Sequence, residues 1–331
     1  MNAVAVAMAE IVREGTWALR ALGYPYGTAE RAAGLLAWTE AVNGHGLTML
    51  RLGEAAILAG AAQPPPRWSR DAQGRRYADA HGKCLFECGP PALDLATSDA
   101  RLGDARLGDA RLGDARLGDA SLGDASLGDA SLGDASLGDA RLADAGLADA
   151  CVANAHTAAA RPDDAGRAGG IGRAILRGAI GTRLSGALGA IAARRGLAAV
   201  LVHAPGTAEI APVPAAGWIF ALPTPEGPAF QVGSLDQALP AILPAPLQAA
   251  AEDIAAAATA GAEGFFSITL LPCPAMPPPA DATDWPQRLA LAYRAGTQAD
   301  PADLQTLYSL EMRTWAPTSE RSRNQAGFGR F

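Results

Sequence analysis

The spacing of apolar residues near the N-terminus predicts helices. Between residues 4 and 22 they recur at mostly three- and four-residue steps, and "GYPYG" then ends the pattern. Thr28 is the expected N-cap of a second helix, "AERAAGLLAWTEAVNG", which ends at Gly44, and "LTMLRLGEAAILAG" is compatible with a third. The first two helices are expected to form an antiparallel hairpin.

Short apolar runs follow after residue 170 and alternate with helical patterns. "LAAVLVHAP" and "FFSITLLP" are predicted strands, and "GWIFALP" and "PAFQVGS" form a predicted hairpin around "TPEG". Helices are predicted over "IGRAILRGAIGTRLSGALGAIAARRG", over "PLQAAAEDIAAAATAG", and after Asp300, which caps a last helix with Pro301 at its first position. This alternation indicates an α/β or α+β fold.

A five-residue unit separates these two parts of the chain. From Ala100 the sequence repeats "ARLGD" and then "ASLGD", with Ala at every fifth position and Leu two residues later, from Leu102 to Leu147. The pattern resembles the pentapeptide-repeat family, which implies a right-handed quadrilateral β-helix with Ala and Leu inside. The family favours Asn or Asp directly before the Leu, whereas this chain has Arg or Ser there.

The repeat sets the predicted domain organisation. Residues 1–98 are assigned to the N-terminal part of a host domain, 99–157 to the insert, 158–170 to a linker and 171–331 to the C-terminal α/β part of the host. Asp side chains would stack between coils, at about 1 kcal/mol of repulsion per pair. Two interpretations stay open: an ordered rod that binds a protein partner, and an expanded, disordered surface loop without a function of its own.

Charge and cysteine content narrow the classes of function. The net charge is −7, and residues 101–150 contribute −5 of it through five Arg and ten Asp. Lys83 is the only lysine, and no basic face is visible, so direct nucleic-acid binding is not expected. The four scattered cysteines fit a reducing cytoplasm, and the absence of a long uncharged apolar stretch predicts a soluble protein that does not enter a membrane.

The C-terminal stretch carries the densest polar cluster. "LEMRTWAPTSERSRNQAGFG" resembles the C-terminal signature of an uncharacterised, mainly bacterial family of unknown function. Its Arg313, Ser319, Ser322 and Arg323 could bind a carboxylate or phosphate through paired donors. The alternative is that salt bridges fix this segment to the body of the protein.

A second resemblance centres on His45. "TEAVNGHGLTMLR" is similar to the Asp-Ser-His-Gly segment of the malate/L-lactate dehydrogenase family that lacks a Rossmann fold. The resemblance implies an acid–base role for His45 at a substrate carbonyl and NAD as a possible cofactor. Asn43 and Gly44 replace the family's Asp-Ser, and no segment clearly matches its nicotinamide-binding segments. A His at the end of a helix can also simply bond the last carbonyls.

Other common chemical signatures are missing. Cys84 and Cys88 have only His81 nearby in sequence, too few ligands for a structural zinc, and there is no P-loop or nucleophile elbow. Two hypotheses of function follow. One is a small-molecule-binding or oxidoreductase-like domain related to the malate/L-lactate dehydrogenases, and the other is a non-enzymatic protein-interaction module formed by the repeat.

Overall fold

A computed structural model describes residues 3–71, 74–109, 170–259 and 264–315. The chain divides into two compact units, one of residues 1–104 with 160–331 and one of residues 105–159. Most of the second unit lies outside the described residues, so the account below concerns the first.

Helices and strands are interspersed along the described chain. The helices are α1 (Met8–Ala21), α2 (Tyr26–Asn43), α3 (Gly46–Ala61), α4 (Leu85–Asp109), α5 (Ser185–Arg194), α6 (Ala245–Thr259), α7 (Trp285–Ala295) and α8 (Pro301–Trp315). The strands are β1 (Val4–Val6), β2 (Ser69–Arg70), β3 (Arg76–Asp79), β4 (Gly172–Arg177), β5 (Leu197–Ala204), β6 (Gly217–Thr224), β7 (Gly227–Ser234), β8 (Phe265–Pro272) and β9 (Thr297–Ala299). The result is a mixed α/β architecture.

Seven strands form the main sheet in the order β2-β3-β4-β8-β5-β6-β7. Only β3 and β4 run parallel, and the other neighbours are antiparallel. β5 lies inside the sheet between β8 and β6 and is buried along almost its whole length, as its continuous apolar run predicts. β1 and β9 form a separate two-stranded antiparallel sheet.

Both faces of the main sheet are covered. Leu197, Ala199 and Leu201 of β5 belong to a core that includes α1, α2 and α5. The alternate residues of β5 belong to a second core, in which Leu247 and Ile254 of α6 cover the opposite face. The strand period of two therefore divides the apolar residues of β5 between two layers of helices.

The N-terminal elements follow the predicted pattern with two differences. α1 ends at "GYPYG", and α2 ends at Gly44, whose φ of 70° is readily adopted by glycine. Val4–Val6 form a strand instead of the first helical turn, because they pair with β9. Thr28 is not the N-cap of α2: Pro25 occupies that position, and its carbonyl accepts the Thr28 N–H at 3.0 Å.

Residues 171–196 differ more from the prediction of a single helix. The structure has β4, then a 3₁₀ turn at Thr182–Leu184, then α5. Gly178 and Gly181 have positive φ values of 65° and 76°, which interrupt a helix. The run from Ala174 to Leu176 instead completes the sheet between β3 and β8.

α4 extends into the repeat. It continues through Ala100, which is 0% exposed in the core, and ends at Asp109, so the first two repeat units are helical where a square coil was expected. Ala, Leu and Arg have high helix propensity, and extending an existing helix needs no new nucleus. The predicted β-helix from residue 110 onwards lies outside the described residues and stays a prediction.

Membrane insertion was not expected from the sequence. Among the helices of the described ranges, none is both long enough and apolar enough to cross a bilayer.

Candidate functional site

His45 connects α2 to α3. It is the N-cap residue of α3, and its main-chain N–H donates to Oδ1 of Asn43 at 3.2 Å. The next residue must be small, because a Cβ on Gly46 would lie 2.0 Å from the carbonyl oxygen of Leu36 in α2. The His-Gly pair thus marks the close contact of the two helices. The half-buried imidazole itself makes no hydrogen bond to any residue that the structure describes, including the last carbonyls of α2.

The positive charge of Arg183 affects the pKa of His45. Burial lowers the pKa of His45, the positive charge of Arg183 lowers it further, and Asp303 partly opposes this. Because both larger effects disfavour the imidazolium, His45 is a neutral ring at neutral pH. Arg183 is not among the site residues predicted from the sequence, where it is recognisable only as a basic residue shortly after the end of β4.

The guanidinium of Arg183 is half-buried. Its Nε donates to the carbonyl oxygen of Pro212 at 2.6 Å, and it forms no ion pair with a described residue. Burial lowers the pKa of Arg183 and Glu209 opposes that effect, but arginine stays protonated in proteins. The remaining N–H groups of Arg183 can therefore bind an anion.

The charge of Arg183 also affects the pKa of a second histidine, His203, near the end of β5. The Nε2 of His203 lies 3.1 Å from the carbonyl oxygen of Ala215, which requires the proton on Nε2. Its buried Nδ1 finds no partner among the described residues. Burial lowers the pKa of His203 to about 4; the Ala215 carbonyl opposes this shift and Arg183 adds to it. His203 therefore stays neutral under physiological conditions.

Glu209 fills the anion-binding turn beside Arg183. Its carboxylate accepts the main-chain N–H of Gly181 at 2.6 Å, the N–H of Thr182 at 3.3 Å and the Thr182 hydroxyl at 2.9 Å. Successive N–H groups at a left-handed residue form a nest that attracts anions. In this chain the protein's own carboxylate occupies that nest.

Two buried carboxylates hold the start of α3. Glu40 is 2% exposed, and its Oε2 accepts the N–H of Leu47 at 2.9 Å. Asp303 of α8 accepts the hydroxyl of Thr48 at 2.6 Å and also pairs with Arg51. Burial raises the pKa of Glu40 to about 7, although the N–H of Leu47 favours its ionised form. These contacts fix the backbone from which His45 projects.

The C-terminal residues predicted to bind a substrate are placed only in part. Arg313 forms an ion pair with Glu54 at the surface and is 57% exposed in its side chain. Glu54 lies nine residues after His45, roughly 13 Å along α3. Ser319, Ser322 and Arg323 lie outside the described residues, so their predicted role stays a prediction.

The cysteines and acidic groups form no metal centre in the described part of the chain, where no cluster of three or more His, Cys, Asp or Glu residues could hold an ion. Cys84 and Cys88 are buried and free. Burial raises the pKa of the Cys88 thiol to about 12 and that of Cys84 as well, so neither is a thiolate at neutral pH.

The Gly181 nest and two cavities of the described chain do not suit the pyrophosphate of a nicotinamide dinucleotide. Its pyrophosphate needs cations or free N–H groups, but the nest at Gly181 already holds Glu209. The described chain forms cavities of about 480 and 650 Å³, and neither has Arg, Lys or His in its lining. No step through such a cofactor follows from this arrangement.

Comparison with known proteins shows similarity of fold to solved structures, and none of sequence to a family. No protein-family model and no curated protein sequence matches the chain, and the resemblance of the C-terminal stretch to a family is not confirmed. A malate dehydrogenase from Pyrococcus horikoshii matches the structure with a TM-score of 0.56 at 11% identity, over 95% of this chain and 96% of that one.

Two further solved structures agree. A putative malate/lactate dehydrogenase from E. coli has a TM-score of 0.54 at 9% identity, over 98% and 99% of the two chains. A sulfolactate dehydrogenase from Methanocaldococcus jannaschii has a TM-score of 0.53 at 8% identity, over 94% and 98%. The chain therefore has the mixed α/β fold of malate/lactate-dehydrogenase-like oxidoreductases.

Proposed function

We propose that the chain is a small-molecule-binding domain of oxidoreductase-like fold, in which Arg183 binds the carboxylate of a small hydroxy or oxo acid and His45 is the acid–base group. The observation that carries this proposal is the half-buried Arg183, which has no ion-pair partner among the described residues and whose charge helps to lower the pKa of His45. Malate and lactate, named for the structural neighbours, are acids of this class.

The two side chains supply complementary chemistry. A guanidinium binds a carboxylate through two parallel N–H donors. A neutral imidazole can accept the proton of an α-hydroxyl or donate to an α-carbonyl, depending on its tautomer. Glu40 and Asp303 hold the start of α3 and so keep the His45 backbone in place. Because the Gly181 nest is filled by Glu209 and neither cavity is lined by a cation, the proposal covers binding and proton exchange and includes no hydride transfer.

Calorimetric titration with L-malate and L-lactate tests this proposal. We expect saturable binding, with methyl lactate binding much more weakly because it has no carboxylate. Arg183→Met should weaken binding roughly tenfold to a hundredfold, the range of a charge-assisted hydrogen bond. Arg195→Met is the matched control, since Arg195 pairs with Asp94 at the surface. Undetectable binding of both acids, or equal losses in the two variants, would contradict the proposal.

NMR can test the role of His45 separately. A bound carboxylate reduces the field of Arg183 at His45, so its pKa should rise towards the ordinary value when the acid binds. Arg183→Met should raise the pKa without ligand. The partner-binding role of the repeat stays a separate prediction, because its residues from 110 onwards lie outside the described chain.

A further inference from the structure

A cavity of about 650 Å³ lies along β7 at the edge of the main sheet, and none of its lining residues belongs to the His45 site. Two segments cover this cavity: the loop that follows β7 and the loop that precedes α7. Its wall combines polar groups of Gln231, Gln237 and Asp281 with apolar side chains, which are Trp218, Val232, Pro240, Ile242 and Pro279. A cavity of this size can hold a small organic molecule.

Gln231 lines this cavity and carries an unused acceptor. The residue is 5% exposed, and its Nε2 donates to the carboxylate of Asp281. The reverse amide orientation would put two oxygens together, so Oε1 is the atom directed elsewhere. This Oε1 is buried and has no partner among the described residues. A buried acceptor without a partner is unfavourable, and a ligand that donates to it removes that cost.

The main-chain N–H and C=O groups of Val232, at the edge of the sheet, have no hydrogen-bond partner among the described residues. The carbonyl of Phe230 accepts the N–H of Thr283 at 2.7 Å, and Ser234 exchanges bonds with Gln237. Alternate residues of an antiparallel strand direct their N–H and C=O groups to the same side. The groups of Val232 therefore also point away from β6, in the gap between the covering segments, where no described residue bonds them.

The charge around the cavity is negative. Asp281 is exposed and forms no ion pair with a described residue, and Asp236 lies on the covering loop. No Arg, Lys or His side chain lines the cavity. Free acceptors, a carboxylate and apolar walls together favour a ligand with a positively charged donor group on an apolar body.

We propose that this cavity binds a small organic cation, a guanidinium or primary ammonium compound, whose N–H groups donate to Gln231 Oε1 and to the Asp281 carboxylate while its apolar part contacts Ile242 and Pro279. A guanidinium suits the site better than an ammonium, because its planar fork can reach two acceptors at once. The site is independent of the proposed function at His45.

A matched series of four-carbon probes tests the proposal by calorimetry: n-butylguanidinium, n-butylammonium, n-butanol and butyrate. We expect butylguanidinium to bind most tightly, butylammonium more weakly, and butanol and butyrate not measurably. Butanol that binds as tightly as butylguanidinium would overturn the proposal, because the cavity would then be selecting apolar surface only.

Variants locate the site. Gln231→Leu and Asp281→Asn should each weaken butylguanidinium binding roughly tenfold or more. Asp236→Asn removes an equal charge from an exposed residue that does not line the cavity, so it should change binding less than about threefold. Equal losses in Asp236→Asn and Asp281→Asn would mean general charge attraction and overturn the proposal. If Gln231→Leu does not fold, the comparison of the two exposed aspartates decides alone.

Discussion

Oε1 of Glu209 accepts the main-chain N–H of Gly181 at a distance of 2.6 Å, across the turn that leads into α5. Thr182 adds its N–H and its hydroxyl to the same carboxylate. Because Gly181 has a φ of 76°, these donors converge on one point. A buried internal anion thus joins the loop after β5 to the start of α5, next to Arg183.

Replacing this anion tests how much it stabilises the fold. Glu209→Ala should lower the free energy of unfolding by about 3 kcal/mol, since it leaves buried N–H groups without an acceptor. Glu209→Gln keeps an acceptor oxygen and should cost less. Urea unfolding of both variants measures the difference. An Ala variant as stable as the native chain would show that water replaces the carboxylate at no cost.

Gly46 should be the least replaceable residue of the His-Gly pair. A Cβ there would lie 2.0 Å from Leu36 O and 2.8 Å from Glu40 N, so Gly46→Ala must separate α3 from α2. We expect a loss of about 3 kcal/mol or more. In Gly34→Ala the new Cβ meets nothing within 4 Å, and the change should stabilise α2 by about 0.5–1 kcal/mol. Thermal unfolding compares the two, and equal effects would contradict the packing argument.

The raised pKa of Glu40 predicts a pH-dependent stability. Burial moves this pKa from 4.5 to about 7, so the folded state binds the proton more tightly than the unfolded state. The free energy of unfolding should therefore fall as pH rises from 4.5 to 7 and level off above that range, by up to about 3 kcal/mol.

Glu40→Gln isolates this contribution, because its amide oxygen can still accept the N–H of Leu47. Asp300, Asp303 and the neighbouring His45 are present in both proteins, so their contributions should largely cancel in the difference. We expect the stability difference between native and variant chains to change across this window in urea unfolding at several pH values. A constant difference would mean that Glu40 titrates at its ordinary pKa.

Two deletions should separate the host from the repeat. Replacing residues 105–159 with a short Gly/Ser linker should leave thermal unfolding of the host almost unchanged, because loop length affects stability only weakly. Deleting residues 100–155 also removes Ala100, which is fully buried, and should lower the melting temperature. If both deletions destabilise the host equally, the repeat contributes to its stability.

Nicotinamide binding is expected to be absent. Titration of the protein with NADH at millimolar concentration, followed through the fluorescence of its six tryptophans, should give no saturable change. The reason is that Glu209 fills the N–H nest at Gly181 and no cation lines either cavity. Saturable binding would contradict this fit argument and restore hydride transfer as a candidate reaction.

Local signals in the sequence identified many elements and one candidate site residue. Gly44 ends α2, and Asp300 with Pro301 starts α8, where Oδ1 of Asp300 accepts the N–H of Ala302 at 2.7 Å. These features depend on a few neighbouring residues, as do the apolar runs of β5 and β8. The resemblance around His45 led to the same dehydrogenase-like fold that the solved structures show.

Contacts between distant residues decided the rest. Val4–Val6 became a strand only because β9, nearly 300 residues later, provides its partner, and Ala174–Leu176 became a strand because β3 and β8 lie on either side. Periodicity cannot distinguish a short apolar strand from a helix segment, so the tertiary environment decides.

The candidate site follows the same division. The sequence by itself singled out His45 and the glycine after it, through the resemblance of this segment to the malate/L-lactate dehydrogenases. The close contact between α2 and α3 then explains why glycine is needed at position 46. Only the tertiary structure brought Arg183 into range of His45 and placed Glu209 on the turn before it, since these residues come from three separate segments. Electrostatic effects depend on distance and burial, which emerge only when the sheet and its helices pack together.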